Sequence, residues 1–359
     1  MPKKNANLHN AKIAKNDEFY TQLSDIENEL RHYKEHLRWK TVLCNCDDPK
    51  ISNFFHYFAY NFEHLWLKRL ITTCYKNQNP DLFSQYKSEK AVYLIYDWDK
   101  NWNNIPDPSE IWIHALKWDW DFRSEECIEL LKQADVVVTN PPFSLFREYI
   151  TQLVKYNKDF LIIGNMNGIT YKEVFPLIKD NKLWTWYKHF WGWMDMIFPK
   201  NLFNPEKVKK YTLDNNWNYI VNIMWVIWYT NLDISKRHEN LILYKKYSKE
   251  EYPEYDNYYA INVDKVSDIP CDYDWVMWVP ITFLDKYSPS QFEILWTSDN
   301  WIIDDKYKKT PGLTKKFVDD YYRAWWTWSY KEWNPTAWYY DKNNIARMSY
   351  KRLFIRRKK

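Results

Sequence analysis

The chain has 359 residues, roughly two domains at about 150 residues each, which is enough to bury a core without metal or disulfide staples. With 46% hydrophobic and 27% charged residues, a disordered or collagen-like chain is excluded, and without an apolar leader or a run of about 18 apolar residues neither secretion nor membrane spanning is expected. A net charge of +4 permits a nucleic-acid partner without requiring one, and five cysteines, with Cys44-x-Cys46 unmatched by a second pair at zinc spacing, read as reduced thiols of a cytoplasmic protein without a metal site.

Residues 1–16 are polar and basic and read as a loose arm. Ser24-Asp25-Ile26-Glu27 has the form of a capping box, and Leu23, Ile26, Leu30, Tyr33 and Leu37 recur at helical spacing, which predicts one helix to about Arg38. A strand over 41–44, a helix over 53–65 and a short strand over 70–73 follow. The polar stretch 76–118 carries no predicted element. Beyond it come a helix over 124–133, a β-branched strand over 135–139, a helix over 144–156, a strand over 160–163 and a helix opened by the capping box Thr170-x-x-Glu173. Strands alternating with helices of this length predict an α/β fold with a parallel sheet. Apolar runs near 183–198 and 219–231 then read as a long antiparallel hairpin closing the sheet. After 232 the alternation is lost, which places a domain boundary there, and the last fifteen residues are rich in Arg and Lys with no acid.

The chain holds 23 Trp and only 4 Gly, and most of the tryptophans stand where a glycine belongs. Trp39 and Trp66 fall just after predicted helices, at the position that commonly takes positive φ. Trp98, Trp102, Trp118 and Trp120 sit among Asp and Asn, where glycine would complete ordinary turns, and Trp325, Trp326, Trp328, Trp333 and Trp338 would together form a glycine-rich turn region. The pattern is that of a message whose UGA codons specify glycine but are read as tryptophan. Trp184 and Trp228, inside apolar strand patterns, are expected to be genuine tryptophans.

The sharpest chemical signal is Asn140-Pro141-Pro142-Phe143, directly after the strand 135–139. At the carboxyl end of a parallel strand, side chains face the crevice in which α/β sheets bind ligands. The Asn140 side-chain oxygen and the Pro141 carbonyl can both accept from one NH2 group and leave its lone pair free to attack. The prolines stiffen the loop, and Phe143 offers a face to an aromatic ring taken out of its stack. An exocyclic amine on a planar base is the implied target. No serine-hydrolase elbow and no phosphate-binding loop occurs, even with glycine restored.

Several segments together resemble one family. They are 16–22, Cys44-Asn45-Cys46-Asp47-Asp48-Pro49, 52–58, Asp121-Phe122-Arg123-Ser124-Glu125-Glu126, Asn140 to Phe143, Gly164-Asn165-Met166-Asn167, Thr230-Asn231-Leu232-Asp233 and 279–287. They resemble the EcoRI-type adenine-specific DNA methyltransferases, which use S-adenosylmethionine. That family carries glycine where this chain has Trp118, Trp120, Trp275 and Trp278.

The resemblance implies a Rossmann-like S-adenosylmethionine-dependent methyltransferase sheet over 1–232 and a target-recognition region over 233–359. It places Phe19, Tyr20 and Thr21 at the methionine end of the cofactor, and Cys44, Asn45, Asp47 and Asp48 in the cofactor loop after the first strand, here without the usual glycines. The acid that ordinarily takes the ribose hydroxyls is missing, because the second strand runs into Thr73-Cys74-Tyr75. Asp121 would accept from the cofactor adenine with Asp119 as the competing carboxylate, and Phe122 would stack on the ring. Arg347, Lys351, Arg352, Arg356 and Arg357 are candidates for phosphate contacts, which position DNA without reading it. The implied enzyme flips an adenine from duplex DNA, methylates N6 without a metal, acts as a monomer, and is paired with a cognate restriction endonuclease. The same motif suits any planar NH2, so RNA adenine or a protein glutamine stays an alternative substrate. A non-enzymatic nucleic-acid-binding module with a decayed core is the other alternative.

Overall fold

The computed structural model describes residues 20–45, 52–74, 92–101, 106, 110–116, 121–185, 194–198, 210–214, 217–297, 305–309, 312–325, 336–348 and 352–358. The chain divides into two compact units, one of Met1–Gly168 with Trp184–Leu232 and the other of Ile169–Leu183 with Asp233–Lys359.

In chain order the first unit holds β1 (Tyr20–Thr21), α1 (Leu23–Leu30), α2 (Lys34–Leu37), β2 (Thr41–Cys44), α3 (Asn53–Tyr60), β3 (Arg69–Cys74), β4 (Val92–Tyr96), β5 (Ile111–Ala115), α4 (Glu125–Gln133), β6 (Val136–Thr139), α5 (Phe146–Lys155) and β7 (Asp159–Asn165). It ends with β8 (Trp184–Thr185), β9 (Met194–Phe198), β10 (Thr212–Leu213), β11 (Tyr219–Ile223) and β12 (Val226–Thr230). Eight strands form a mixed sheet in the order β5-β4-β3-β2-β6-β7-β12-β8. Its centre, β3-β2-β6-β7, is parallel, and the flanking strands run antiparallel. Strand β2 has its sequence neighbour β3 on one side and the later β6 on the other, so the order reverses between β2 and β6. Ligands bind at such a switch point in open α/β sheets, outside the carboxyl ends of the strands.

Five expectations change. The helix predicted to Arg38 breaks after Leu30, where Tyr33 leaves the helical region (φ −116°) and its hydroxyl donates to Glu29 Oε1 at 2.9 Å. Ile26, Leu30, Tyr33 and Leu37 are nonetheless fully buried, so the apolar stripe survives the break. Gln22, not Ser24, is the N-cap of α1, and Val174, not Thr170, is the N-cap of the next helix. The stretch 76–118 contains β4 and β5, which extend the sheet antiparallel. The hairpin is split: Trp184–Thr185 pairs with β12 as expected, but β9 pairs with β11 in a separate sheet ordered β1-β9-β11-β10.

The second unit holds α6 (Phe175–Lys179), β13 (Ile261–Asn262), β14 (Met277–Pro280), β15 (Phe292–Thr297), α7 (Lys315–Trp325), β16 (Trp338–Tyr340), β17 (Ala346–Met348) and β18 (Arg352–Arg357). Four strands pair in the order β13-β14-β18-β15. The basic C-terminal run is therefore an interior strand, with Leu353, Phe354 and Ile355 fully buried. Helix α7 and the β16–β17 hairpin share a core of Leu313, Phe317, Trp338 and Ala346.

Seven described residues other than glycine have positive φ: Trp39 (59°), Trp66 (54°), Trp217 (62°), Trp225 (68°), Asn157, Asn181 and Asn344. Trp325 and Trp338, expected in a glycine-rich turn region, instead end α7 and open β16. Their indole N–H groups donate to the carbonyls of Ala346 (2.8 Å) and Gly312 (3.2 Å).

Candidate cofactor and catalytic site

Strand β6 is Val-Val-Val-Thr with every residue buried, and it delivers Asn140 to the carboxyl edge of the sheet, 8% exposed. Pro141 is buried, and Pro142 (φ −53°, ψ 124°) turns the chain into a 3-10 turn over Phe143–Leu145, closed by Leu145 N donating to the Pro142 carbonyl at 2.9 Å. That turn runs straight into α5, leaving Phe143 half-buried. The helix is seated by Phe146, which packs on Tyr229 at 4.9 Å and lies so close to β7 that a Cβ on Gly164 would stand 2.4 Å from its ring.

Across the switch point, β2 ends in Cys44 and Asn45. The Cys44 thiol is buried, and its carbonyl accepts from Thr72 Oγ1 at 2.9 Å. Asn45 is held from two sides: its carbonyl accepts from Thr139 Oγ1, and its Oδ1 accepts from the Tyr149 hydroxyl. The two loops at the switch point are thus tied to each other by β6 and α5.

Tyr20 and Thr21 form β1, paired with Ile197 and Met196. The Thr21 carbonyl accepts from Asn53 Nδ2 at 2.7 Å, which fixes β1 to the first residue of α3. Ser52 caps that helix by accepting from Phe54 N at 3.2 Å. Thr21 is 2% exposed, and its hydroxyl oxygen is buried with no hydrogen-bond partner among the described residues. A buried hydroxyl left in that state costs free energy unless something bonds to it.

Phe122 is buried with its ring edge-on to Tyr149 at 4.9 Å, and its carbonyl accepts from Gln152 Nε2 at 2.9 Å. Asp121 is engaged by a neighbouring cation. Both its oxygens meet the Arg123 guanidinium, at 2.8 and 2.5 Å, and Arg123 also reaches Glu148 at 2.7 Å. These hydrogen bonds, that to Asp121 foremost, raise the Arg123 pKa above its ordinary value. Phe122 is therefore joined to Asn45 through one tyrosine, whereas Asp121 belongs to a surface ion cluster. Phe19, Asp47, Asp48, Asp119 and Lys351 lie outside the described residues.

The C-terminal arginines are each engaged within the second unit. Arg347 bonds Asp341 at 2.8 Å and covers the Trp325 ring at 4.5 Å, and Arg352 donates to the Val263 carbonyl (2.7 Å) and to Asp264 (3.1 Å). Arg356 pairs with Glu293, and Arg357 donates to the Cys271 carbonyl.

Sequence reasoning gave no role to Tyr149, to Gln152 or to Asn53 of the 52–58 segment. Tyr149 lies in the apolar stripe Phe146, Tyr149, Ile150, Leu153, whose signal is packing. Its one polar atom was the available clue, since a buried tyrosine hydroxyl usually has a partner.

Comparison with known proteins decides the family. The sequence model described as adenine-specific methyltransferase EcoRI matches residues 7–358. The chain belongs to the EcoRI family of adenine-specific methyltransferases. It is 50% identical over 292 residues to the type II methyltransferase M.EcoRI of Escherichia coli, covering 80% of this chain and 88% of that one. Two further relatives are the type II methyltransferases M.MgeORF184P of Mycoplasma genitalium (38% over 296 residues; 80% and 85% covered) and M.MpnI of Mycoplasma pneumoniae (36% over 294 residues; 80% and 84%). No solved structure matches the chain. Membership makes the protein a DNA adenine methyltransferase of the restriction–modification kind, as the motifs implied. Among the described residues no helix is long and apolar enough to cross a membrane.

Proposed function

We propose that this EcoRI-family enzyme binds S-adenosylmethionine at the β2–β6 switch point of a Rossmann-like core and methylates N6 of an adenine flipped out of duplex DNA. The observation that carries this reading is the placement of Asn140 at the carboxyl end of β6, next to Thr139, whose hydroxyl bonds the carbonyl of Asn45 just after the adjoining β2. The cofactor supplies an electrophilic methyl group on a sulfonium. The residues present suit it: Thr21, in the segment assigned to its methionine end, has a buried hydroxyl ready to bond a polar ligand.

Tyr20 and Thr21, with Phe19, hold the methionine end; Asn45, with Cys44, Asp47 and Asp48, forms the loop beneath it. Phe122 supplies the apolar wall for the cofactor adenine, and Asp119, or Asp121 once released from Arg123, the acceptor. Asn140 Oδ1 and the Pro141 carbonyl accept the two amino hydrogens of the target, which directs the nitrogen lone pair away from both. Phe143 backs the flipped base, and the two prolines keep competing N–H donors out of the loop. No strong base is needed before attack, because the proton leaves once the nitrogen is cationic.

We assign residues 1–232 to catalysis and 233–359 to target recognition. Arg347, Lys351, Arg352, Arg356 and Arg357 contribute phosphate contacts. The enzyme acts in the cytoplasm as a monomer beside an endonuclease of the same site specificity.

The test is transfer of a radiolabelled methyl group to unmethylated duplex DNA, with nucleoside analysis of the product and Asn140→Ala as control. Label in N6-methyladenine that the substitution abolishes supports the reading. A folded, cofactor-binding protein that labels RNA or a glutamine-containing peptide in place of DNA would overturn it.

A further inference from the structure

Tyr149 is 1% exposed and serves two loops at once. Its hydroxyl donates to Asn45 Oδ1, and its ring receives Phe122 edge-on at 4.9 Å. One turn further along α5, Gln152 holds the Phe122 carbonyl at 2.9 Å, while Thr139 at the end of β6 holds the Asn45 carbonyl. Packing alone would need only the ring, and phenylalanine would serve; the hydroxyl is required by Asn45. We propose that Tyr149 is a positioning residue for the cofactor, through which the helix that begins at the Asn140–Phe143 segment sets the place of both cofactor loops. The inference rests on the cofactor reading above.

Calorimetric titration of S-adenosylmethionine into the full chain tests it, with Tyr149→Phe, Asn45→Ala and the double variant alongside. Removing the hydroxyl leaves a buried amide oxygen unsatisfied, so Tyr149→Phe should bind about tenfold more weakly. The cofactor KM should rise in step, with kcat at saturating cofactor within about twofold of the parent. Because the effect passes through Asn45, the double variant should bind no more weakly than Asn45→Ala alone. Equal affinity of Tyr149→Phe and the parent, or additive losses in the double variant, would overturn the proposal. Should Tyr149→Phe not fold, Asn45→Ala, which leaves α5 packing intact, must itself weaken binding or the proposal fails. No binding by the parent would sink the cofactor reading instead.

The left-handed tryptophans carry a second inference independently. At Trp66, Leu67 N donates to the Phe62 carbonyl (3.1 Å) and Trp66 N to the Glu63 carbonyl (3.0 Å), the paired bonds of a Schellman ending. The same two bonds recur at Asn157 (3.0 and 3.0 Å) and at Asn181 (2.8 and 3.2 Å). Trp217 sits in a hairpin loop where Trp217 N donates to the Asp214 carbonyl (3.1 Å), Asp214 N to the Asn218 carbonyl (3.0 Å) and Asn218 N to Asp214 Oδ1 (2.7 Å). Asp341 to Ile345 repeats all three bonds, with Asn344 in the place of Trp217. In each motif the chain elsewhere uses asparagine, which tolerates positive φ next best after glycine, whereas a bulky residue there is an outlier.

We infer that Trp39, Trp66, Trp217 and Trp225 are glycine in the protein made by its own cells, with UGA specifying glycine. Tandem mass spectrometry of peptides from those cells, read at 66, 217 and 228, tests this. Glycine at 66 and 217 with tryptophan at 228, a buried side chain edge-on to Phe54 at 5.8 Å, supports it. Tryptophan at 66 and 217 overturns it, and glycine at 228 overturns the distinction between the two groups.

Discussion

Asn140 and Tyr149 stand nine residues apart and were unequally legible. Asn140 announces itself because an amide and two prolines follow a β-branched run that only a buried strand explains. Tyr149 hides in a helix stripe, and its hydroxyl has meaning only once Asn45 is brought opposite it by the fold. The basic C-terminal residues have partners that the sequence does not display, since Arg347 meets Asp341 within its own hairpin while Arg352 and Arg356 meet Asp264 and Glu293, 88 and 63 residues away. At this scale the tryptophans give a stability prediction. Trp66→Gly and Trp217→Gly, both exposed and left-handed, should each stabilise the chain by about 1 kcal/mol through relief of backbone strain. Trp228→Gly, emptying a buried site, should cost about 3–5 kcal/mol. Urea unfolding midpoints of the three variants read both signs.

Among the elements, the parallel core β2, β3, β6 and β7 was readable because each strand is a short apolar run bounded by helical periodicity. Strands β4 and β5 were missed: β5 is an exposed edge with Trp112 and Ile113 facing solvent, so its composition carries little burial signal. The break between α1 and α2 was also illegible, because the apolar stripe continues through it. The motif Thr230-Asn231 gains a physical account as a clasp. Thr230 Oγ1 donates to the Phe160 carbonyl at 2.7 Å, and Asn231 bonds Phe160 N (2.8 Å) and the Lys158 carbonyl (3.0 Å), pinning the start of β7. The seat of α5 on β7 is tighter still. Gly164→Ala would drive a Cβ into Phe146 and should destabilise by about 1–3 kcal/mol. Shortening the ring with Phe146→Leu in the same chain should recover part of that loss, which the shift in unfolding midpoint would show.

For the whole molecule, the sequence boundary at 232 and the structural division share one crossing, but the chain passes between units at three places: after Gly168, after Leu183 and after Leu232. Residues 169–183, including the buried Phe175 and Ile178 of α6, belong to the second unit. A fragment ending at 232 should therefore carry an apolar segment severed from its core, and should aggregate more readily in light scattering than a fragment from which 169–183 has been replaced by a short polar linker.

That interleaving also governs how such enzymes could exchange parts with their relatives. A single crossover at 232 would join one parent's 169–183 to another parent's 233–359, and the two would have to repack as strangers. Grafting the second unit intact calls for two simultaneous transplants, so a lineage can inherit this unit whole or drift within it, but cannot readily borrow it in one recombination event.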